Sequence, residues 1–301
     1  MISRYSYVES IFLKDEEISA GLSLNKITSP AFRIFRLLTG TCGVYDVFFE
    51  KKFNLSTNYL NFPYTKKAKQ SKKALLEVFS EDVSLGDVSV FFKSLKSNDD
   101  FYSAIEFELI NCIVANKSGR YLESFLFLYR VLEGVSYSIP LIYVSKSKSF
   151  NKSFRSLQKY MPTKSNEGEL LFFKNFIQSQ WSDKFFYKLT LDIDIGSIEV
   201  EEMRSTYFKL YKEKAKSGIE GETEDEELQI SFIGFMDFMI ELRNRYFHFL
   251  QGGWHNNIST SQIIFPDLFF KPIIDLGINW ISIALFEIMR FDIENHASVR
   301  S

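Results

Sequence analysis

The chain has 301 residues, a length that suits one large domain or two modest ones. Hydrophobic residues make up 46% and aromatic residues 17% of the sequence, which supplies enough apolar surface to offset chain entropy and excludes global disorder. The formal net charge of -2 excludes the broad basic surface of a protein that coats nucleic-acid duplexes, so any contact with RNA must use a local patch.

The sequence predicts a cytoplasmic protein that does not enter or cross a membrane. Arg4 and Glu9 interrupt the stretch that a secretion signal would keep apolar. The most apolar late stretch, residues 273–289, is interrupted by Asp275 and Glu287 and is predicted to be too polar for a membrane span.

The two cysteines, Cys42 and Cys112, lie outside any CxxC or Cys/His pattern. We therefore expect two buried, reduced thiols rather than a disulfide framework or a zinc site. The sequence also has no phosphate-binding P-loop, dinucleotide fingerprint or nucleophile elbow. The prediction is a protein that uses no metal and no cofactor.

Residues 1–100 form a region whose structural class the sequence leaves open, with α+β as one option. Short apolar runs such as residues 44–49 are separated by turn-forming residues. We assign this region a sensing or partner-binding role.

From residue 101 to the end, the pattern predicts a mainly α domain, a helical bundle with a small strand insertion. Residues 189–195 alternate apolar and polar side chains, as a half-buried strand does. Residues 146–164 are rich in Ser and Lys, and we expect a loop there. Thr223 and Glu226 have the spacing of a capping box, which predicts the start of a long helix. Helices are predicted at residues 102–115, 120–137, 167–180, 200–215, 225–250 (ending at Gly252-Gly253) and 272–290 (opened by Pro272).

One polar cluster stands out near the end of the predicted helix 225–250. Asn244 and His248 are four residues apart and therefore lie one above the other on a helix. A helical wheel places Arg243 on an apolar face, where an unpaired guanidinium would be strongly destabilising. The predicted partner is Glu133 on the helix 120–137, with Glu123 as the second candidate.

The segment Arg243-Asn244-Arg245-Tyr246-Phe247-His248 resembles the defining motif of the HEPN superfamily, an Arg followed by a polar residue and, after a short spacing, a His. The aromatic-rich segment 124–133 is similar to an early helix of such domains, and the resemblance covers residues 101–292. It implies a metal-independent endoribonuclease that acts as a homodimer in antiphage defence or as a toxin. Control by an inhibitory or activating protein partner is an open possibility.

The residue chemistry agrees with that activity. Cleavage of RNA by its own 2′-hydroxyl needs a group that exchanges a proton near neutral pH and a cation that holds the phosphate. His248 suits the first role and Arg243 the second, while Asn244 could orient the imidazole or contact phosphate. The predicted supporting residues are Glu133, Arg130 and Tyr246.

The spacing alone is weak support, because Arg290 and His296 satisfy it as well. We interpret that second match as accidental, since acidic residues lie between the two and the pair is near the chain end. A second RNA-binding patch is predicted where cations alternate with aromatic residues, although a solvated loop explains the same pattern. Its cations are Lys146, Lys148, Lys152 and Arg155.

Two other functions fit the same residues. The first is a HEPN-like domain that dimerises or binds nucleotides and RNA without cleaving RNA. The second is a helical adaptor subunit of a larger defence complex. Cleavage of RNA that depends on Arg243 and His248 separates the enzyme from both.

Overall fold

The computed structural model describes residues 4–9, 16–64, 75–95, 98–146, 149–162, 168–223, 226–247, 257–259 and 261–298. Within these ranges the chain forms ten α-helices and two three-stranded sheets, so the prediction of a mainly α protein is confirmed. The elements, in chain order, are β1 (Tyr5–Glu9), α1 (Glu16–Gly21), α2 (Pro30–Leu38), β2 (Cys42–Asp46), β3 (Lys51–Asn54), α3 (Leu85–Ser94), α4 (Asp99–Lys117), α5 (Tyr121–Ser145), α6 (Phe150–Tyr160), α7 (Glu169–Trp181), β4 (Thr190–Asp194), α8 (Glu201–Ala215), β5 (Ile219–Glu222), β6 (Glu227–Ser231), α9 (Phe232–Phe247) and α10 (Pro266–Ser298).

The N-terminal region is α+β. Its antiparallel sheet has the order β1-β2-β3, and α1, α2 and α3 complete it. Arg36 on α2 is fully buried, and its guanidinium donates to Glu9, to the carbonyl of Leu22 and to both oxygens of Thr41. A buried cation is tolerated only with such complete pairing. This network joins β1, α2 and β2.

The N-terminal region shares its core with the helices that follow. Phe35 on α2 stacks on Phe286 of α10 with ring centroids 6.1 Å apart. Arg33 forms two hydrogen bonds of 2.8 Å to the carboxylate of Glu106 on α4. The apolar core therefore continues across residue 100.

The two helices predicted at residues 102–115 and 120–137 are present as α4 and α5, which form a helical hairpin. Gly119, at φ +74°, makes the turn between them, a conformation that favours glycine. The expectation that the second helix ends before Pro140 is wrong, because α5 continues to Ser145. Burial of Ile139 and Ile142 in the core offsets the hydrogen bond that proline removes.

The predicted strand 189–195 is present as β4, in a sheet of order β4-β6-β5. The predicted helix start near residue 225 is wrong, because residues 227–231 form β6 instead. Leu228 and Ile230 are fully buried on one face of that strand, which is a period of two. Thr223 accepts a hydrogen bond from the amide of Glu227 within the described part of the hairpin, rather than capping a helix.

Two further boundaries differ from the sequence predictions. The stretch 146–164, predicted to be a loop, contains α6, whose N-cap Ser149 accepts a hydrogen bond from the amide of Lys152. The last helix begins at Pro266, which occupies its first turn, and not at Pro272, which lies inside it.

Helix α10 is central, and its polar side chains bind other segments. The indole of Trp280 donates a 2.7 Å hydrogen bond to the carbonyl of Phe232, where α9 begins. Asn279 donates to the carbonyls of Tyr59 and Asn61. These contacts fix the rotation of α10, because buried polar groups need partners.

Two described helices are long and apolar enough to span a membrane, namely α5 and residues 266–295 of α10. Within their most apolar windows, 56% and 83% of the residues are buried inside the protein, as in core helices of soluble proteins. By this measure the polar residues of 273–289 do not rule out a span, contrary to the sequence expectation. Cytoplasmic location stays a prediction.

Both cysteines are buried and free, as predicted from the sequence. Burial raises the pKa of each thiol to about 12, so both thiols stay protonated at neutral pH.

Replacing Trp280 with Phe should destabilise the fold, because the carbonyl of Phe232 loses its indole donor in a buried place. Trp181→Phe is the matched control, since Trp181 is also buried but its indole makes no hydrogen bond to another described residue. We expect Trp280→Phe to lower the free energy of unfolding by at least about 1 kcal/mol more than the control, measured by urea denaturation. Equal losses would show that the hydrogen bond contributes nothing.

Candidate functional site

The candidate site is built on Arg243, one turn before the described end of α9. Its side chain is 28% exposed, so the prediction that it is buried on an apolar face is wrong. The helix faces α5 and α7 on this side rather than a closed core. The guanidinium is therefore accessible from solvent.

Side chains from α5 and α9 hold the guanidinium. Its Nη2 lies 3.5 Å from Oε1 of Glu133, and its Nη1 donates to Oδ1 of Asn244 at 3.1 Å. The carbon at its centre lies 5.0 Å from the ring centroid of Tyr129, a cation–π contact. Glu133 is thus the partner that the sequence indicated first. The second candidate, Glu123, pairs with Arg120 instead.

Tyr129 is the neighbour that the sequence analysis missed. It precedes Glu133 by four residues, so helical spacing puts both on the side of α5 that meets Arg243. Burial raises the pKa of Tyr129 to about 12, with Arg243 acting in the opposite direction and Glu133 and Glu169 adding to the rise. The phenol stays neutral at neutral pH, and its π face is available to the cation.

A third helix reaches the same area through the first turn of α7. A hydrogen bond to Glu169 there is the main cause that raises the pKa of Tyr137 on α5. Two carboxylates, Glu133 and Glu169, thus act on Tyr129, and Glu133 is the one that also contacts Arg243.

Two acidic residues on α9, Asp237 and Glu241, have cationic partners. Asp237 accepts a 2.6 Å hydrogen bond from Lys174 on α7. Glu241 pairs with Arg245 at 2.9 Å and lies 3.7 Å from Lys216. These carboxylates are occupied in ion pairs that connect α9 to its neighbours.

His248 lies outside the described residues, directly after Phe247 at the described end of α9. The structure therefore gives the surroundings of Arg243 and Asn244, and the position of the imidazole stays a prediction.

The two remaining supporting residues do not join Arg243. Arg130 pairs with Glu108 on α4 at 2.7 Å, and its side chain is 65% exposed. Tyr246 packs edge-on against Phe270 of α10, with ring centroids 5.3 Å apart. Each contacts a different neighbouring helix, and their supporting role stays a prediction.

The second predicted RNA-binding patch is only partly assembled. Lys148 lies outside the described residues, and Lys146 forms a 3.0 Å ion pair with Asp292. Lys152 and Arg155 are exposed on α6. On the same helix, Phe150 and Phe154 are 83% and 52% exposed and stack with centroids 6.4 Å apart. Cations and aromatic rings thus alternate on a surface helix rather than on a loop.

Comparisons of the chain with protein-family models, with curated proteins and with solved structures find no match. The described residues contain no group of three or more His, Cys, Asp or Glu that could hold a metal ion.

A double-mutant cycle should show that Arg243 and Glu133 are weakly coupled. Their contact is long and part-exposed, and such ion pairs contribute less than about 1 kcal/mol. The measurement is the free energy of unfolding of Arg243→Ala, Glu133→Ala and the double variant.

The comparison cycle uses Arg33 and Glu106, which form two hydrogen bonds of 2.8 Å, and the side chain of Glu106 is 10% exposed against 47% for Glu133. We expect a larger coupling energy there. A coupling between Arg243 and Glu133 as large as that of the comparison pair would mean that Arg243 serves the fold.

Proposed function

We propose that the protein is a metal-independent endoribonuclease that cleaves RNA through attack by the 2′-hydroxyl. The observation that carries the proposal is the part-exposed guanidinium of Arg243, oriented by Glu133, Asn244 and Tyr129 but not enclosed by them. Its other support is the resemblance of the segment 243–248 to the HEPN motif.

In the proposed reaction, the 2′-oxygen of one nucleotide forms a bond to the adjacent phosphorus and its proton leaves to a base. The bond from phosphorus to the 5′-oxygen of the next nucleotide breaks, and that oxygen takes a proton from an acid. The products are a 2′,3′-cyclic phosphate and a 5′-hydroxyl. His248 is assigned to proton transfer, because imidazole exchanges a proton near neutral pH.

Arg243 is assigned to hold the phosphate as negative charge develops on its oxygens. A guanidinium has five N–H donors, and the contacts described above use only two of them. The long contact to Glu133 is weak, so phosphate can compete with it, and a planar guanidinium binds phosphate oxygens in pairs.

Asn244 is assigned to position the side chains of Arg243 and His248. Its Oδ1 accepts from Arg243, which directs its amide nitrogen elsewhere. His248 follows Asn244 by four residues, the spacing that places two side chains one above the other on the helix that the sequence predicts over 225–250. Asn244 would then connect the phosphate-binding cation to the imidazole.

The proposal includes a homodimer in which each protomer contributes an Arg/His pair to a composite site. It also includes an RNA substrate and a role in antiphage defence or as a toxin, with a protein partner that inhibits or activates the enzyme. These elements come from the family resemblance.

A non-catalytic protein that dimerises or binds RNA is the competing proposal. One observation favours it, namely that Arg243 already has three protein contacts, as a structural arginine would. Cleavage assays separate the two.

The purified protein should cleave single-stranded RNA or tRNA in the presence of EDTA, and His248→Ala and Arg243→Ala should each reduce the rate at least about a hundredfold. The measurements are the cleavage rate and the chemistry of the product ends, for which we expect 2′,3′-cyclic phosphate and 5′-hydroxyl groups.

Matched controls come from the accidental second match of the motif. Arg290→Ala and His296→Ala remove the same residue types and should leave the rate unchanged, because Arg290 is paired with Glu287 and Glu294. RNA binding without cleavage supports the non-catalytic protein. Cleavage that survives both Arg243→Ala and His248→Ala rules out the assigned residues.

The composite site also predicts that the protein is a dimer in solution, which light scattering measures. Mixing inactive Arg243→Ala with inactive His248→Ala should restore activity if one composite site needs residues from both protomers. A strict monomer that still cleaves RNA would contradict the composite site while leaving the assignment of Arg243 and His248 intact.

A further inference from the structure

A cleft of about 410 Å³ opens between the N-terminal sheet and the junction of α4 with α5. Its cationic lining residues are Arg4, Lys51 and Arg120, and Asp46 is the one acidic residue among the described residues that line it. It lies away from Arg243, because Arg120 and Glu133 are 13 residues apart along one helix, about 20 Å at 1.5 Å per residue. The cleft is therefore separate from the proposed nuclease site.

The carboxylate of Asp46 is already satisfied. It accepts hydrogen bonds from Arg4 and from the amides of Phe48 and Phe49, and its side chain is 2% exposed. Burial alone would raise the pKa of Asp46, but these hydrogen bonds lower it, so the group stays ionised. It positions Arg4 and the turn 47–50. With three cations against one carboxylate, the described lining of the cleft carries net positive charge.

The cations of the cleft differ in whether an acidic side chain already pairs with them. Arg120 pairs with Glu123 at 2.8 Å in an exposed, weak contact. Lys51 makes no ion pair within the part of the chain that the structure describes, and its Nζ lies 5.0 Å from the ring centroid of Phe53. Lys51 is the charge best able to meet an incoming anion.

Aromatic and apolar side chains complete the cleft. Phe49 is 73% exposed although it carries a large apolar ring, and the guanidinium of Arg4 lies 5.4 Å from the ring centroid. The buried side chains of Phe53 and Val114 also line the cleft. An exposed ring that contacts an arginine offers a stacking platform for a flat base.

We propose that this cleft binds a nucleotide, with the phosphate on Lys51, Arg4 and Arg120 and the base stacked on Phe49. The combination of cations, an open aromatic ring and an apolar lining matches a ligand that carries both a phosphate and a flat ring. The volume lies within the range of about 300 to 1,000 Å³ that is usual for small-molecule sites. A free nucleotide and one nucleotide of an RNA strand share this chemistry.

The test is titration of the full-length protein with AMP, adenosine and inorganic phosphate by calorimetry at low salt. AMP should bind more tightly than either fragment, and Lys51→Ala and Phe49→Ala should each weaken AMP about tenfold. Lys52→Ala is the matched control, because adjacent residues of a strand point to opposite faces and Lys52 does not line the cleft. It should leave AMP binding unchanged.

Absence of AMP binding overturns the proposal, and so does AMP binding that Lys51→Ala and Phe49→Ala both leave unchanged. Phosphate that binds as tightly as AMP would show that base stacking on Phe49 contributes nothing to binding. Adenosine that binds as tightly as AMP would show that the cations contribute nothing. Thermal unfolding of each variant checks that the fold is kept. A short RNA oligonucleotide, tested with His248→Ala to prevent cleavage, distinguishes a strand from a free nucleotide by its competition with AMP. None of these readouts depends on nuclease activity, so the two proposals fail independently.

Discussion

The long helix α10 places polar side chains inside an apolar core, and each of them must find a partner there. Trp280 finds the carbonyl of Phe232 at the start of α9, and Asn279 finds the carbonyls of Tyr59 and Asn61. Asp275, one turn earlier than Asn279, accepts hydrogen bonds from Tyr59 and Asn116. One helix thus fixes the N-terminal region, α4 and α9 together, and a rotation of α10 would break all of these contacts.

That constraint also determines where Arg243 lies. The start of α9 is held by the hydrogen bond from Trp280. The first turn of α9 packs closely against the short turn 216–218, where a Cβ on Gly218 would lie only 2.7 Å from the Cα of Gly234. On the other side of the core, Gly277 lets α10 approach α5, since a Cβ there would collide with Leu128. With α5 and α9 both positioned from α10, the meeting of Glu133 and Arg243 follows from packing, and the weak ion pair between them does not need to hold the helices together.

Side-chain periodicity predicts the long helices of this protein well, and the hairpin of α4 and α5 and the strand β4 follow from it. The same rule also indicated Glu133, because helical spacing puts it on one side of its helix together with Glu123, Arg130 and Tyr137. The errors have local causes. Thr223 and Glu226 have the spacing of a capping box, but pairing with β4 buries Leu228 and Ile230 of β6 and outweighs it. The helical wheel places Arg243 on an apolar face of α9. It does not show that this face borders α5 and stays partly exposed to solvent.

Three arginines of this chain show how environment separates a structural cation from one that is available for binding. Arg36 is fully buried and its guanidinium donates four hydrogen bonds, so removing it would leave oxygens of Glu9, Leu22 and Thr41 without a donor. Arg33 makes two short hydrogen bonds to one carboxylate and is less buried. Arg243 has a 3.5 Å contact, a hydrogen bond to its neighbour Asn244 and an aromatic ring beside it. A guanidinium that the fold orients but does not saturate keeps donors for an anion, whether that anion is cleaved or only bound.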